Sequence, residues 1–312
     1  MKKLYILFFL TIGFIANAQI INFTDVNFKN LLIAPSPFYG YVKDIDGNTI
    51  FIDLNINGEI EISEALLAYE INIPPNNNIP RVTSLDGIEY FTNLKKIGCY
   101  EQNLTNVDFS QLINLESISI TNSNLQSINL NNLSNLKNIN LNYNLLTSLN
   151  LSYLTSLEKL YCFGNQINSL DFANSTFIKE IECSSNSLTS IQISNLPELT
   201  LLNCNDNELQ NLDLNGLISL DNLNCSNNQI NNINFGNANN INTLNCNSNQ
   251  LNSIDLSNLS NLEYLSLVNN NLSLIDFSSL NNLKSLEIGN NDLTTIDISN
   301  LSQLSLFNIE NN

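Results

Sequence analysis

The chain has 312 residues, with 11 basic and 29 acidic side chains, no histidine and no tryptophan, for a formal charge of −18. Such an acidic surface disfavours nucleic acid and anionic membranes as partners, and the lack of histidine removes the commonest general base and transition-metal ligand, which argues against an enzyme. A chain this long would ordinarily split into two domains, but its internal repetition predicts one continuous array with a cap.

Residues 1–18 have the layout of a secretory signal: Lys2 and Lys3, an apolar run from Leu4 to Ile15, then Ala16-Asn17-Ala18 before Gln19. The run is too short to span a membrane, and no cysteine follows the cleavage site to receive a lipid. The expectation is a secreted or cell-surface protein whose mature form, without Lys2 and Lys3, carries a charge of −20.

Residues 19–81 read as an N-terminal cap. The stretch FTDVNFKNLLIA (23–34) offers a helix start at Thr24 or Asp25 and apolar residues Val26, Phe28, Leu31 and Leu32 for one face, with Pro35 and Pro37 to stop it. From Gly40 through Gly47 to Ile52, turn residues mixed with β-branched ones predict a hairpin or an irregular loop. The next twelve residues, DLNINGEIEISE (53–64), fit the EF-hand calcium loop position by position. Asp53, Asn55 and Asn57 stand at positions 1, 3 and 5, Gly58 at the sharp turn, Glu59 at the backbone-carbonyl position, Glu61 at 9 and Glu64 at the bidentate position 12. Calcium takes six to eight hard oxygens, which a loop of this kind can wrap around it. Ile60 should point inward, and SEALLAYEI (63–71) should form an exit helix. The segment before the loop reads as extended where an EF-hand has a helix, so a plain Asp/Asn/Gly turn capping the next helix is the competing reading. With two of the side-chain ligands neutral, the expected affinity is weak, about 0.1 to 1 mM. Residues from Ile71 to Arg81, rich in Pro and Asn, read as a linking loop, and SLDGIEYFTNL from Ser84 as a partial repeat.

Residues 82–312 form the array. From Leu94 the pattern L-x-x-L-x-[LC]-x-x-N-x-L-x-x-L-x-L-x-x-L recurs every 21 residues without insertion, giving ten full repeats and an eleventh cut off at Asn312. Ending on the landmark asparagine of an unfinished repeat suggests a chain that continues. This pattern resembles bacterial leucine-rich-repeat proteins of the internalin-like kind, and the acidic Gly-Glu-Ile loop with its Ser-Glu-Ala helix is similar to caps of exported Bacteroidetes-type repeat proteins. The resemblance implies an α/β solenoid: a horseshoe or arc with a parallel sheet on its concave face, a mostly irregular or extended convex side and a small helical N-terminal cap.

Alternation within the repeat places positions 4 and 6 inward and 3, 5 and 7 outward. Eleven such strands spaced about 4.8 Å make a sheet roughly 48 Å long. Position 9 is asparagine from Asn144 to Asn312, and buried amides must be hydrogen-bonded; the resemblance implies a ladder on the backbone of neighbouring turns. All six cysteines (Cys99, Cys162, Cys183, Cys204, Cys225, Cys246) occupy position 6, which predicts buried free thiols serving as small hydrophobes. Position 15 is acidic in Asp108, Asp171, Asp213, Asp255, Asp276 and Asp297, either a solvated face or a cation-binding row.

The outward columns are mostly Asn, Ser and Thr. Repeats four and five depart from this with Lys159, Tyr161 and Phe163 beside Glu180, Glu182 and Ser184, and with Leu201 next door. Aromatics flanked by charge commonly mark a binding site for a protein or a sugar ring, although scattered exposed aromatics also occur without one. The combined expectation is an exported, calcium-capped scaffold that binds a protein or polysaccharide at its concave face in adhesion or recognition. A structural surface or matrix component without a specific ligand is the alternative, and oligomeric state is left open.

Overall fold

The structure is a computed structural model that describes residues 19–34, 41–75 and 80–312. The signal segment, Pro35, Pro37, Gly40 and residues 76–79 lie outside the described residues. Helix α1 (Val26–Ile33) starts on Asp25, whose Oδ1 accepts the Asn27 and Phe28 N–H groups at 2.7 and 3.3 Å. Phe28, Leu31 and Leu32 are buried, but Val26 is 62% exposed. Two positions from Phe28, Val26 falls on the opposite side of the helix, so the expected apolar face loses it. The other Asp25 oxygen accepts Thr83 N (2.6 Å), Thr83 Oγ1 (2.8 Å) and Ser84 N (3.2 Å). One carboxylate thus starts the cap helix and ties it to the array. Burial pushes this carboxyl up, but the hydrogen bonds from Thr83, Asn27 and Ser84 together outweigh that and hold its pKa below 3.8.

Strand β1 (Val42–Lys43) turns back on itself through a Lys43–Thr49 bridge, so the hairpin reading holds. Helix α2 (Ile62–Ala65) is a single turn. The longer exit helix does not form, because Glu70–Ile73 is strand β2, antiparallel to β1 and parallel to β3 (Lys96–Tyr100). Ala-Leu-Leu-Ala favours helix locally, yet pairing of the Glu70–Ile73 backbone with β3 and inward burial of Ile71 and Ile73 decide the outcome. The link expected from Ile71 to Arg81 therefore begins with a strand. Ile71 pairs with Ile97 and Ile73 with Cys99, a step five residues longer than the period of the array. They act as positions 4 and 6 of an irregular repeat inside the cap. Ile52, Ile60, Ala65 and Ala68 are fully buried in a core continuous with that of the array, which covers the apolar end the first regular repeat would otherwise expose.

Each of the eleven repeats from Leu94 contributes one concave strand, and they stack in sequence order as a parallel sheet extended by β2 and β1 to thirteen strands. Register is the repeat itself: Ile181 lies between Leu160 and Leu202. The convex side is mostly irregular, with three short two-stranded pairs. After each concave strand, position 8 is left-handed in all eleven repeats, from Glu101 through Tyr143 and Gly164 to Asn311, with φ between +50° and +68°. This kink turns the chain out of the sheet and brings position 9 into the interior.

There the asparagines form the expected ladder. Asn207 Nδ2 donates to the carbonyls of Cys183, Cys204 and Asn205, each at 3.1 Å, and its Oδ1 accepts Leu188 N at 2.9 Å. The same scheme repeats at Asn165, Asn228, Asn249, Asn270 and Asn291. In the first repeat Gln102 fills the place, donating to Tyr100 O (2.7 Å) and reaching Pro74 O (3.3 Å) across the longer step. A second asparagine row, at position 21, brackets the strands from the other end: Asn114, Asn135, Asn240 and Asn282 donate to carbonyls of the preceding turn at 2.7–3.0 Å.

Two expectations follow from these contacts. Asn207→Ala leaves the Leu188 N–H without its acceptor and three carbonyls without this donor, and should cost about 3 kcal/mol in urea unfolding, whereas exposed Asn222→Ala should stay within about 0.5 kcal/mol. Asp25, with its folded pKa lowered, contributes stability that is present above its unfolded pKa near 3.8 and lost as the pH falls through the folded value. The melting-temperature gap between wild type and Asp25→Asn should therefore be constant near neutral pH and close below pH 3.8.

Candidate functional site

The parallel register sets Lys159 beside Glu180 and Tyr161 beside Glu182, with Leu201 and Asn203 on the next strand. Lys159 Nζ pairs with Glu180 Oε1 at 2.7 Å, and the Tyr161 hydroxyl donates to Glu180 Oε2. Burial and this carboxylate push the Tyr161 phenol up to about 12, while Lys159 and Tyr161 together draw Glu180 below the usual carboxylate range. Glu182 accepts from the Ser184 hydroxyl and, at 2.7 Å, from Asn203 Nδ2. The sequence-predicted residues Lys159, Tyr161, Glu180 and Glu182 thus form one prearranged polar platform. Each Glu180 oxygen has one protein donor, while Glu182 takes the Ser184 hydroxyl and N–H on Oε1 and Asn203 on Oε2, which leaves lone pairs for a ligand.

Phe163 lies at one end of this platform and Leu201 is half-buried at its side. The Phe163 ring meets Tyr143 edge-on, with centroids 4.8 Å apart and planes at 84°. Tyr143 belongs to the left-handed column, at φ +56° and 54% exposed, a conformation costly for a bulky side chain. Sequence reading missed it. The signal was there in a column otherwise held by Asn, Asp, Ser, Glu and Gly. Also missed was position 2, where charges alternate and pair between turns: Lys95–Glu116 and Glu158–Lys179 at 2.8 Å, and Glu263–Lys284 at 2.7 Å. These exposed pairs contribute little stability.

In the cap loop Asp53 accepts the Asn57 and Gly58 N–H groups at 3.1 and 2.9 Å, and Asn57 Oδ1 accepts Glu59 N at 2.7 Å. Asn55 and Asn57 both donate to Glu61, and Glu64 spans the loop to Leu54 N (2.7 Å) and Glu61 N (3.0 Å). Among the described residues no three acidic, cysteine or histidine side chains are gathered as a metal cluster. The donor set nonetheless fits calcium in kind, since it is all oxygen and amide. Glu61 and Glu64 are each only 5% exposed and touch one another. Burial and Glu61 push the Glu64 carboxyl up, while hydrogen bonds from Glu64, Asn57 and Asn55 hold Glu61 down. Two adjacent buried carboxyls need a shared proton or a cation, and Lys29, the basic group at this loop, pairs with Glu59 at 2.7 Å.

All six cysteines are buried and free, as expected. Five of them stack on consecutive turns from Cys162 to Cys246, and the Sγ atoms of Cys225 and Cys246 lie 3.5 Å apart, well beyond the roughly 2.05 Å of a disulfide. Burial pushes the Cys99 thiol up to about 12 and raises Cys162, Cys183 and Cys204 well above the usual thiol range.

Neither a protein-family model nor a curated protein sequence matches the chain, but solved structures do. The chain is similar to the functional domain of InlJ from Listeria monocytogenes, described as including a cysteine ladder, at 30% identity with a TM-score of 0.73 over 81% of this chain and 55% of that one. The chain is a leucine-rich-repeat solenoid. A leucine-rich-repeat protein of Leptospira interrogans matches at 25% identity and TM-score 0.66, over 74% of this chain and 64% of that one. The internalin InlF of Listeria monocytogenes matches in fold at 20% identity and TM-score 0.53, over 89% and 96%. This solenoid spans about half the length of the InlJ domain. Among its described residues no helix is long and apolar enough to cross a membrane.

Within the leucine-rich-repeat solenoid the acidic column at position 15 has a structural explanation. Each of its six aspartates accepts the backbone N–H two residues on, at 2.8–3.1 Å. Asn129, Asn150 and Asn234 do the same in other repeats, so the column closes a turn and the negative charge is incidental to it.

Proposed function

We propose that this leucine-rich-repeat solenoid is an exported recognition scaffold that binds a protein or polysaccharide on its concave face, in adhesion or a related role, and performs no catalysis. The observation that carries this reading is the platform of Lys159, Tyr161, Glu180 and Glu182 with Phe163 and Leu201, set into a sheet whose other outward positions are mostly small and polar. Its side chains are held by one another before any ligand arrives, so little rotamer entropy remains to be lost on binding.

The cap loop is proposed to take calcium through Asp53, Asn55, Asn57, Glu61 and Glu64 and the Glu59 carbonyl. The ion would supply the positive charge that the buried Glu61–Glu64 pair lacks. Because α2 and β2 follow directly, ordering this loop would firm up the start of the sheet.

The first test measures binding of the mature chain to a panel of polysaccharides and cell-surface extracts, in wild type and in Tyr161→Ala/Phe163→Ala. Binding lost in the double variant, with an unchanged melting temperature, is expected; binding that survives it moves the site elsewhere. For the cap, millimolar calcium should raise the melting temperature over that in a chelator, by an amount equivalent to about 1.4 kcal/mol at a dissociation constant of about 0.1 mM. Glu64→Gln should abolish the difference, and equal melts with and without calcium would remove the metal.

A further inference from the structure

Position 8 is left-handed in all eleven repeats, and Tyr143 is its one aromatic occupant. Its neighbour on the next turn, Gly164, is the column's one glycine. A Cβ at Gly164 would stand 3.1 Å from Tyr143 Cδ1 and 3.5 Å from Cε1. The glycine therefore leaves the space over which the Tyr143 ring lies, and Phe163 supports that ring edge-on. None of this serves the core, since Tyr143 is more than half exposed. Two adjacent turns have departed from the pattern to raise an aromatic pair at the rim of the concave face.

Along positions 7 and 8 the side-chain charge is of one sign, although Arg81 reaches Glu101 at 4.0 Å. Positions 7 and 8 contain no lysine or arginine in any of the eleven repeats, while Glu101, Asp206 and Glu310 all fall there. Glu182 leans toward the same row, held by the Ser184 hydroxyl and backbone N–H on the strand next to Phe163. Among the described residues no basic group pairs with Glu182 or Asp206, whereas Lys159 at the other end of the strand is engaged by Glu180. Aromatic faces attract cations through their quadrupole, and neighbouring carboxylates add to that attraction. The net negative charge of the whole chain would draw such a partner in.

We propose that Tyr143, Phe163, Glu182 and Asp206 form a docking patch for a basic segment of a partner protein, with a lysine or arginine side chain lying over the aromatic pair and the segment running on across the next two turns to the two carboxylates. The proposal rests on the concave-face reading above and narrows its partner to a cationic polypeptide. A neutral sugar ring could stack on Tyr143 but would gain nothing from the charge pattern.

The probe is a short oligoarginine peptide, titrated into the mature chain at low and high salt. Tyr143→Asn installs the residue this left-handed column uses most, so the fold is retained. Glu182→Gln removes one charge at the patch, and Asp276→Asn removes one charge at a distant turn while preserving the backbone hydrogen bond. Salt-sensitive binding should weaken about fivefold in each of the first two variants and stay within about twofold in the third. Equal losses in all three, no loss in Tyr143→Asn, or no binding by wild type would each overturn the proposal. So would Tyr143-dependent binding of a neutral polysaccharide with none of the peptide, which makes the patch a sugar site. If Tyr161→Ala/Phe163→Ala loses binding to a surface extract while Tyr143→Asn still binds the peptide normally, the concave-face reading stands and only the cationic partner fails.

Discussion

The solenoid depends on satisfying backbone polar groups where each turn leaves the sheet. A parallel strand of three residues cannot bond all its own carbonyls, and the turn after it enters a region from which water is excluded. An unpaired group there costs about 1–3 kcal/mol. From the third repeat on, the position 9 asparagine answers this with one amide that donates to carbonyls of its own and the preceding turn and accepts from an N–H, a place taken by Gln102 and Ser123 in the first two. The left-handed residue before it is part of the same solution, because without that kink the amide would point along the sheet. Leucines and cysteines fill the volume that this scheme encloses, and they could be exchanged among apolar residues of similar size more readily than the amides could.

Much of this was legible in the residues. A 21-residue period with Asn at position 9 dictates stacked turns, and alternation at positions 3 to 7 dictates which side chains face out. The meeting of Lys159 with Glu180, and of Tyr161 with Glu182, follows from the same register. What escaped had weaker local signals. Strand β2 was hidden because Ala68 takes the place of a leucine and the step to the next repeat is five residues longer, while Ala-Leu-Leu-Ala advertises helix. Val26 was misplaced because apolar character was counted without its angular position. The left-handed column carries no hydrophobic period at all, so Tyr143 stood out only once φ was known.

The cap and the concave platform share a physical device. In both, beside one ion-paired carboxylate (Glu59 with Lys29, Glu180 with Lys159), another is held in place by neutral donors alone: Asn55 and Asn57 at Glu61, Ser184 and Asn203 at Glu182. Such arrangements fix geometry and leave negative potential unspent. In the cap the excess is buried and a proton or a cation must answer it, whereas on the sheet it faces solvent and is available to a partner.

The uniform register also bears on how the chain reaches this state. Each new turn closes a loop of the same length onto the turn before it, so the entropy lost per step does not grow with the array, and contacts stay local relative to total length. A nucleus at the cap, where β1 and β2 join the sheet, could then propagate along the chain like a zipper, with each completed turn serving as the template for the next. Sequence change in the late repeats would alter how far the zipper closes more than whether it starts.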